Sequence, residues 1–298
     1  MEQYVMRKSK TEQNYRRRVQ RVHRLIAASL DEPVDIATLA KASAFSLYHF
    51  HRIYTALMGE TVADTHRRLR LDRAAAQIAR GSLPITHIAM EAGYETPQSF
   101  SRAFKHQFCL SPAQYRKAGT QPDRQAPVSI YPPICTEIIK MNITIETREE
   151  VIVYGVRHIG PYTGIQQAFH QLWQWVTANH LESQGKYGIG IYYNDPITTA
   201  PEKCQSDACI QFIQPLEKEP EDKNIRTIKL TAGRYARYRH TGPYNTLEQA
   251  YNTFYGQWLP ESGYECADLP PFEIYINNPY DTPEADLITD IYMPVKDK

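Results

Sequence analysis

Cysteine is scarce: five in 298 residues, at positions 109, 135, 204, 209 and 266. A small, odd number at this length argues against a disulfide framework and for a reducing compartment. No apolar run is long enough to cross a bilayer. The first residues, MEQYVMRKSKTEQNYRRR, are polar and basic, without the apolar core of a signal peptide. Zinc-type spacing is missing as well. Cys204 and Cys209 have no CxxC partner, and His49, His51 and His66 fall inside helical text. GKYGIG at 185–190 lacks the order of a nucleotide-binding glycine loop, and no Gly-x-Ser-x-Gly occurs. These absences leave a soluble, cytoplasmic protein as the expectation, with no cofactor, no metal site, no catalytic residue and no membrane partner.

Net charge is low too, at +1, but this sum hides two unlike halves. Residues 1–124 carry 20 Lys and Arg against 11 Asp and Glu, a net of +9; the rest carries 14 against 22, a net of −8. A basic half favours a phosphate-bearing partner, and such polarity suggests two jobs. The length also exceeds what one core usually organises. Between the halves, KAGTQPDRQAPVSIYPP (117–133) has no hydrophobic period and is rich in Pro, Gln and small residues, so it reads as linker.

The basic half reads as two helical pairs. DIATLAKASAF fits a short helix capped by Asp35. SLYHFHRIYTALMG fits a second, with Ser46 as cap, Phe50, Ile53, Tyr54 and Leu57 as the buried stripe, and Gly59 as stop. The pattern returns about 50 residues later. ITHIAMEAGYE ends one helix and TPQSFSRAFKHQF begins the next, with Thr96 as cap, Pro97 at the first helical position, and Phe100, Ala103, Phe104 and Phe108 buried. The opposite faces show Tyr48, His51, Arg52 and Thr55 in one copy, and Gln98, Ser101, Arg102 and Lys105 in the other. Arg and Gln can each make paired hydrogen bonds to base edges in the major groove. Between the copies, TVADTHRRLRLDRAAAQIARG reads as one long Arg-rich helix. A plain helical bundle with charged surfaces suits either helix alone; two copies with matched caps and stripes argue against it.

These segments, through AGY…QSFSRAFK…SPAQYR, closely resemble the DNA-binding domain of the AraC/XylS transcription regulators over residues 17–118. The resemblance implies two helix-turn-helix units, each with its second helix in a major groove. It implies DNA contacts from Ser46, Tyr48, His51 and Arg52 in one unit and Thr96, Gln98, Ser101 and Arg102 in the other. Lys105, Arg70 and Arg116 are phosphate candidates. Cys109 stands where the family usually has glycine, so a left-handed helix end there is strained.

The acidic half is doubled. HIGPY (158–162) returns as HTGPY (240–244), and GIYYNDP (190–196) as EIYINNP (273–279). DACIQFIQP (207–215) faces LITDIYMP (287–294), aligned by their terminal prolines. Each unit reads as strand, Gly-Pro-Tyr turn, amphipathic helix, strand, Asn-x-Pro turn, strand. Ile165, Ala168, Phe169, Leu172, Trp173 and Val176 share one helix face; Leu247, Ala250, Tyr251, Phe254, Tyr255 and Trp258 share its counterpart. A duplicated unit places a cleft at its pseudo-twofold axis. The paired HxGPY words, YYNDP, PEKCQSDACI and TDIYMPV resemble the GyrI-like (SHS2-type) effector-binding domain over residues 140–296. That resemblance implies a small-molecule cleft with an acidic residue before the last Ile-Tyr-x-Pro run, here Asp290. Phe169, Trp173, Tyr192 and Tyr275 are further pocket candidates, although each also suits a core. Asp290 equally suits a hydrogen bond to a nearby tyrosine.

The expected fold is multidomain: an all-α double helix-turn-helix domain, then an α+β domain of two βαββ repeats. The expected boundaries are a flexible extension at 1–16, the DNA-binding domain at 17–118, a linker at 119–139 and the effector domain at 140–296. The order of domains resembles that of Rob-like regulators. The expected partners are double-stranded DNA, a small hydrophobic or cationic effector and RNA polymerase, met by a monomer or weak dimer. Two alternatives stay open at this point: a small-molecule hydrolase using Asp290, and a module that sequesters a protein.

Overall fold

The computed structural model describes residues 10–81, 83–119 and 141–297. The expected linker at 119–139, apart from Gly119, lies outside them, as do residues 1–9 and Cys135. The chain divides into two compact units. One takes Gln13–Ala44 and Tyr54–Ile134; the other takes Met1–Glu12, Phe45–Ile53 and Cys135–Lys298.

The helical elements are α1 (Lys10–Ala28), α2 (Ile36–Ser43), α3 (Leu47–Met58), α4 (Val62–Arg80), α5 (Ile85–Glu91), α6 (Pro97–Phe108) and α7 (Pro112–Ala118). Their ends fall where the cap chemistry put them. Asp35 accepts from Ala37 N, Thr61 from Asp64 N and Thr96 from Ser99 N. Gly59 and Gly81 adopt φ of 73° and 76° to close α3 and α4. The segment read as an extension is helical from Lys10 onward, and Tyr15 is buried. Arg18, also buried, donates to the carbonyls of Ser43 and Ala44, so α1 holds the end of α2. The long α4 lays Leu71, Ala74, Ala75 and Ile78 against Ile88, Ala89, Phe100, Phe104 and Tyr115 from α5, α6 and α7. Phe104 stands edge-on to Tyr115 at 5.3 Å, the tilt that aromatic quadrupoles favour.

The other unit is built on one sheet. Its strands are β1 (Ile143–Arg148), β2 (Val151–Ile159), β3 (Gly185–Tyr192), β4 (Gln205–Phe212), β5 (Arg226–Leu230), β6 (Gly233–Thr241), β7 (Tyr264–Cys266), β8 (Phe272–Tyr275) and β9 (Ile288–Asp297). They run in the order β1-β6-β9-β8-β3-β4-β2-β5, with β7 pairing β9 off the end. The order is palindromic by repeat: β8 mirrors β3, β9 mirrors β4, β6 mirrors β2. Each repeat carries an extra first strand beyond the expected βαββ, and the second adds the short β7 besides. That first strand crosses over, so β1 pairs β6 and β5 pairs β2. Ile191 faces Asp207 and Ile274 faces Asp290, so the last strands match at an offset of 83, not by their prolines.

Helix α8 (Ile165–Ala178) covers one sheet face through Ile165, Ala168, Leu172 and Val176 against Tyr154, Val156, Ala208 and Ile210. The opposite face collects Val153, Ile189, Ile191, Cys209, Tyr235, Phe272, Ile274 and Tyr292 from seven strands, counting Leu230, in one cluster. Residues from strands so far apart meet only if the sheet curls round them. The helix of the second repeat is not uniform. After α9 (Leu247–Thr253) comes a π turn, Phe254–Trp258, and then Leu259–Glu261. Pro260 has no N–H to give the carbonyl four residues back and would collide with it, and the wider turn relieves both.

Cys109 ends α6 at φ 58°, in the left-handed region, as its replacement of glycine foretold. A Cβ in that region costs roughly 1–2 kcal/mol, partly offset by glycine's extra unfolded-state freedom. Cys109→Gly is therefore expected to stabilise the chain by about 0.5–1 kcal/mol in chemical denaturation. A loss of stability would refute the strain.

Candidate functional site

The exposed face of α6 follows from its period. Phe100 and Phe104 are buried, and one half-turn away Gln98, Arg102 and Lys105 are exposed, with Ser101 half-buried beside them. Thr96 uses its hydroxyl on the helix cap, accepting from Ser99 N at 3.2 Å. The other two phosphate candidates face inward. Arg70 packs its guanidinium on Gly93, where an added Cβ would lie 1.2 Å from Nη2. Gly93 also has φ 74°, so the turn needs glycine twice over. Arg116 donates to the Leu83 carbonyl at 2.5 Å.

The side chains of Ser46, His49 and Arg52 bond residues of the sheet-containing unit, to which residues 45–53 belong. Ser46, expected as a cap, donates its hydroxyl to Asp268 at 2.7 Å. Tyr48 is 38 % exposed, and His51 is half-buried with Nδ1 unpartnered. His49 is fully buried: Nε2 lies 2.9 Å from the Leu269 carbonyl and Nδ1 2.7 Å from the Tyr255 hydroxyl. A carbonyl can only accept, so Nε2 carries the proton and Nδ1 accepts from the tyrosine. Burial, then the charge of Arg52, lowers the His49 pKa to about 4. Arg52 lies with its guanidinium carbon 4.6 Å above the Tyr251 ring and donates to the Asn194 carbonyl at 3.3 Å.

The two HxGPY words build matching turns. Gly160 and Gly242 take φ of 142° and 133°, and their N–H groups bond the carbonyls of Cys204 and Leu287 at 2.9 and 2.8 Å. Each turn delivers a tyrosine to the helix-covered face of the sheet. Tyr162 meets Tyr192 edge-on at 4.9 Å, and Tyr244 meets Tyr275 at 5.4 Å. Tyr192 and Tyr275, equivalent in the two repeats, join their hydroxyls at 2.7 Å. Phe169 closes on Tyr275 at 5.7 Å. Inside this aromatic cluster sits Glu273, 3 % exposed. It accepts from Tyr251 at 2.9 Å and Tyr275 at 3.0 Å, and it forms no ion pair among the described residues. Burial raises its pKa against the lowering pull of those hydroxyls. Burial likewise pushes Tyr192, Tyr251 and Tyr275 well above the usual phenol range, so all three stay hydroxyl donors.

Three expected pocket residues, Phe169, Tyr192 and Tyr275, thus come together. Asp290 does not join them, and strand parity is the reason. It pairs with Ile274, so it shares that residue's face of the sheet, opposite Glu273. There it takes a two-pronged bond from Arg239, at 2.7 Å twice, with Arg237 at 3.4 Å. So held, it lies apart from the aromatic cluster around Glu273. Trp173 is 52 % exposed and makes no ring contact with the cluster among the described residues. The acid that sequence reasoning missed was visible in the repeat itself. EIYINNP differs from GIYYNDP at its first letter, which puts Glu273 where the other copy has Gly190.

Residues 141–296 match the family described as the GyrI-like small molecule binding domain, over half of the chain. The chain belongs to the GyrI-like family. Residues 39–118 match a helix-turn-helix domain family. The regulatory protein SoxS of Escherichia coli K12 is 37 % identical over 87 residues, 29 % of this chain and 81 % of SoxS. The right origin-binding protein of the same strain is 32 % identical over 89 residues, 30 % of this chain and 31 % of that protein. This GyrI-like chain is accordingly an AraC-type DNA-binding transcription regulator. The crystal structure of the EcmrR C-terminal domain aligns with 54 % of it and all of that chain, at 21 % identity and a TM-score of 0.42, too loose a likeness to carry weight. No helix among the described residues is long and apolar enough to cross a membrane.

The neutral His49 on α3 gives a pH signature. Facing it are Tyr255, Arg52, Asp268 and the Leu269 carbonyl. Its folded pKa lies below the unfolded value, so its contribution is whole above pH ~6.5 and is lost as pH falls toward ~4. Between pH 7.5 and 5 the chain should lose about 2 kcal/mol more stability than a His49→Gln variant. Parallel pH curves from thermal denaturation would contradict the assignment.

Proposed function

We propose that this regulator responds to a small, flat, hydrophobic cation bound in the aromatic cleft of its C-terminal unit, and that the exposed face of α6 reads duplex DNA in the major groove. The observation that carries the reading is Glu273. A carboxylate stripped of water is costly unless a charge or hydrogen bonds compensate it. Here tyrosine hydroxyls supply the hydrogen bonds, and aromatic rings surround them. Such a site gains most from a cation that brings both a charge for the carboxylate and a face or edge for the rings. The aromatic cluster lies at the pseudo-twofold axis, where Tyr192 and Tyr275 of the two repeats meet, a place suited to a ligand in a duplicated domain.

The DNA reading rests on the order of side chains along α6. Gln98, Ser101, Arg102 and Lys105 follow helical spacing opposite the phenylalanine stripe, and the first three have the chemistry of base contacts. Arg102→Ala should lose roughly 1–3 kcal/mol of discrimination at one base position of a selected site. An equal loss on every sequence would make Arg102 a phosphate contact instead.

For the cleft, titration calorimetry with an aromatic cation and a neutral isostere gives the test. Glu273→Gln should weaken the cation at least about tenfold and leave the neutral compound unchanged. Because the carboxyl pKa is raised, wild-type affinity for the cation should climb with pH through that pKa, and the variant should lose the slope. Relieved of a buried charge, the variant should also be at least as stable as the wild type at neutral pH. Equal cation affinity in both proteins would remove the cation-site reading.

A further inference from the structure

Arg52 holds a particular place inside the sheet-containing unit, to which residues 45–53 belong. Its guanidinium carbon lies 4.6 Å over the Tyr251 ring and 6.0 Å from the centre of the Tyr255 ring. Tyr251 in α9 and Tyr255 in the π turn stand four residues apart, on successive turns of one helix. Nη2 donates to the Asn194 carbonyl, which also accepts from Tyr162 at 2.8 Å. Tyr251, the ring beneath the guanidinium, gives its hydroxyl to Glu273. A cation already rests one tyrosine away from the buried carboxylate.

That occupant is imperfectly held. Nη1 of Arg52 is buried with no hydrogen-bond partner, and so is Oδ2 of Asp195. Glu273 forms no ion pair with it. A guanidinium has five N–H donors, and leaving buried ones unmade forfeits much of what the site offers. A free ligand, not tethered to a helix, can move closer to Glu273 and satisfy more donors. The surroundings also choose the ligand's shape. A ring face and a carbonyl in reach of an N–H suit a planar, hydrogen-bonding cation; a quaternary ammonium has no donor for that carbonyl.

We propose that Arg52 is a tethered occupant of the cation site, and that the diffusible effector is a planar guanidinium or amidinium compound that takes its place. The inference rests on the reading of the cleft as a cation site and adds its regulation and its ligand class. The two cations exclude one another, so the ligand's apparent affinity is reduced by the fraction of chains with Arg52 seated. Reciprocally, bound ligand releases Arg52 from the cage.

Calorimetry on the full chain decides the matter, with phenylguanidinium as probe and benzyltrimethylammonium as a donor-free cation of similar size. Arg52→Ala should bind phenylguanidinium about tenfold more tightly than wild type, as expected if roughly one chain in ten has the site open. Arg52→Met, which keeps the aliphatic stem, should gain alike, and a far-UV spectrum matching wild type checks that each variant is folded. Adding Glu273→Gln to Arg52→Ala should remove the gain. If both Arg52 variants bind no better than wild type while Glu273 still matters, the tethered occupant is overturned and the cation site stands. If benzyltrimethylammonium gains as much as phenylguanidinium, the ligand class is overturned. If no variant binds either cation, both the occupant and the cation site fall.

Discussion

One buried carboxylate sets the terms for the C-terminal unit. Glu273 projects from a central strand into a space lined by Tyr192, Tyr251 and Tyr275, and those hydroxyls are what permit it to be there. Its repeat partner is Gly190, and the glycine is required. A Cβ at 190 would lie 2.6 Å from the Tyr275 hydroxyl and 2.9 Å from that of Tyr192. Both hydroxyls are already committed to each other across the axis. A second carboxylate at that point would stand beside the first in a dry site, where two like charges cannot both persist. The duplicated unit therefore keeps its symmetry in the scaffold and breaks it in charge at Glu273, as it does at Asp195, which matches Asn278 in the second copy.

The scaffold shows how far the symmetry does hold. Arg157 clasps Asp207 at 2.6 and 3.0 Å, and Arg239 clasps Asp290 in the same two-pronged way one repeat later. Each pair joins neighbouring strands across the face turned away from Glu273. Asp207 gains further donors in Tyr193 and Arg226. These acids are paired with arginines, whereas Glu273 is hydrogen-bonded by hydroxyls and feels the Arg52 charge only at a distance. The contrast separates a carboxylate that fastens strands from one held by hydroxyls without an ion pair, and geometry draws it where residue type cannot.

Much of the fold was legible in the sequence because its signals are local. Caps at Asp35 and Thr96, the stop at Gly59, and the strain at Cys109 all depend on a few neighbouring backbone groups. The doubling of the C-terminal half was legible because the same turn chemistry recurs. What the sequence hid was long-range. The crossing of β1 to β6 and of β5 to β2 is decided by pairing between distant strands. The misplaced acid has a simpler cause. Aligning DACIQFIQP and LITDIYMP on their prolines concealed the offset of 83, at which Asp290 matches Asp207, a strand-fastening residue. Parity along β8 and β9 then puts Asp290 on the face opposite Glu273 and its tyrosines.

Arg52 shows a different limit. The apolar stripe of α3 tells which side of the helix is buried, and Phe50, Ile53 and Tyr54 are indeed buried. It says nothing about what covers the polar side. A guanidinium is flat, permanently charged and ringed with donors, so it fits the edge of a guanine and the face of a tyrosine equally well. Sequence spacing identifies such a side chain as a reader of something without fixing what is read. Only the company of Tyr251, Tyr255 and Asn194 distinguishes the two uses, and those residues lie some 140 to 200 positions away along the chain.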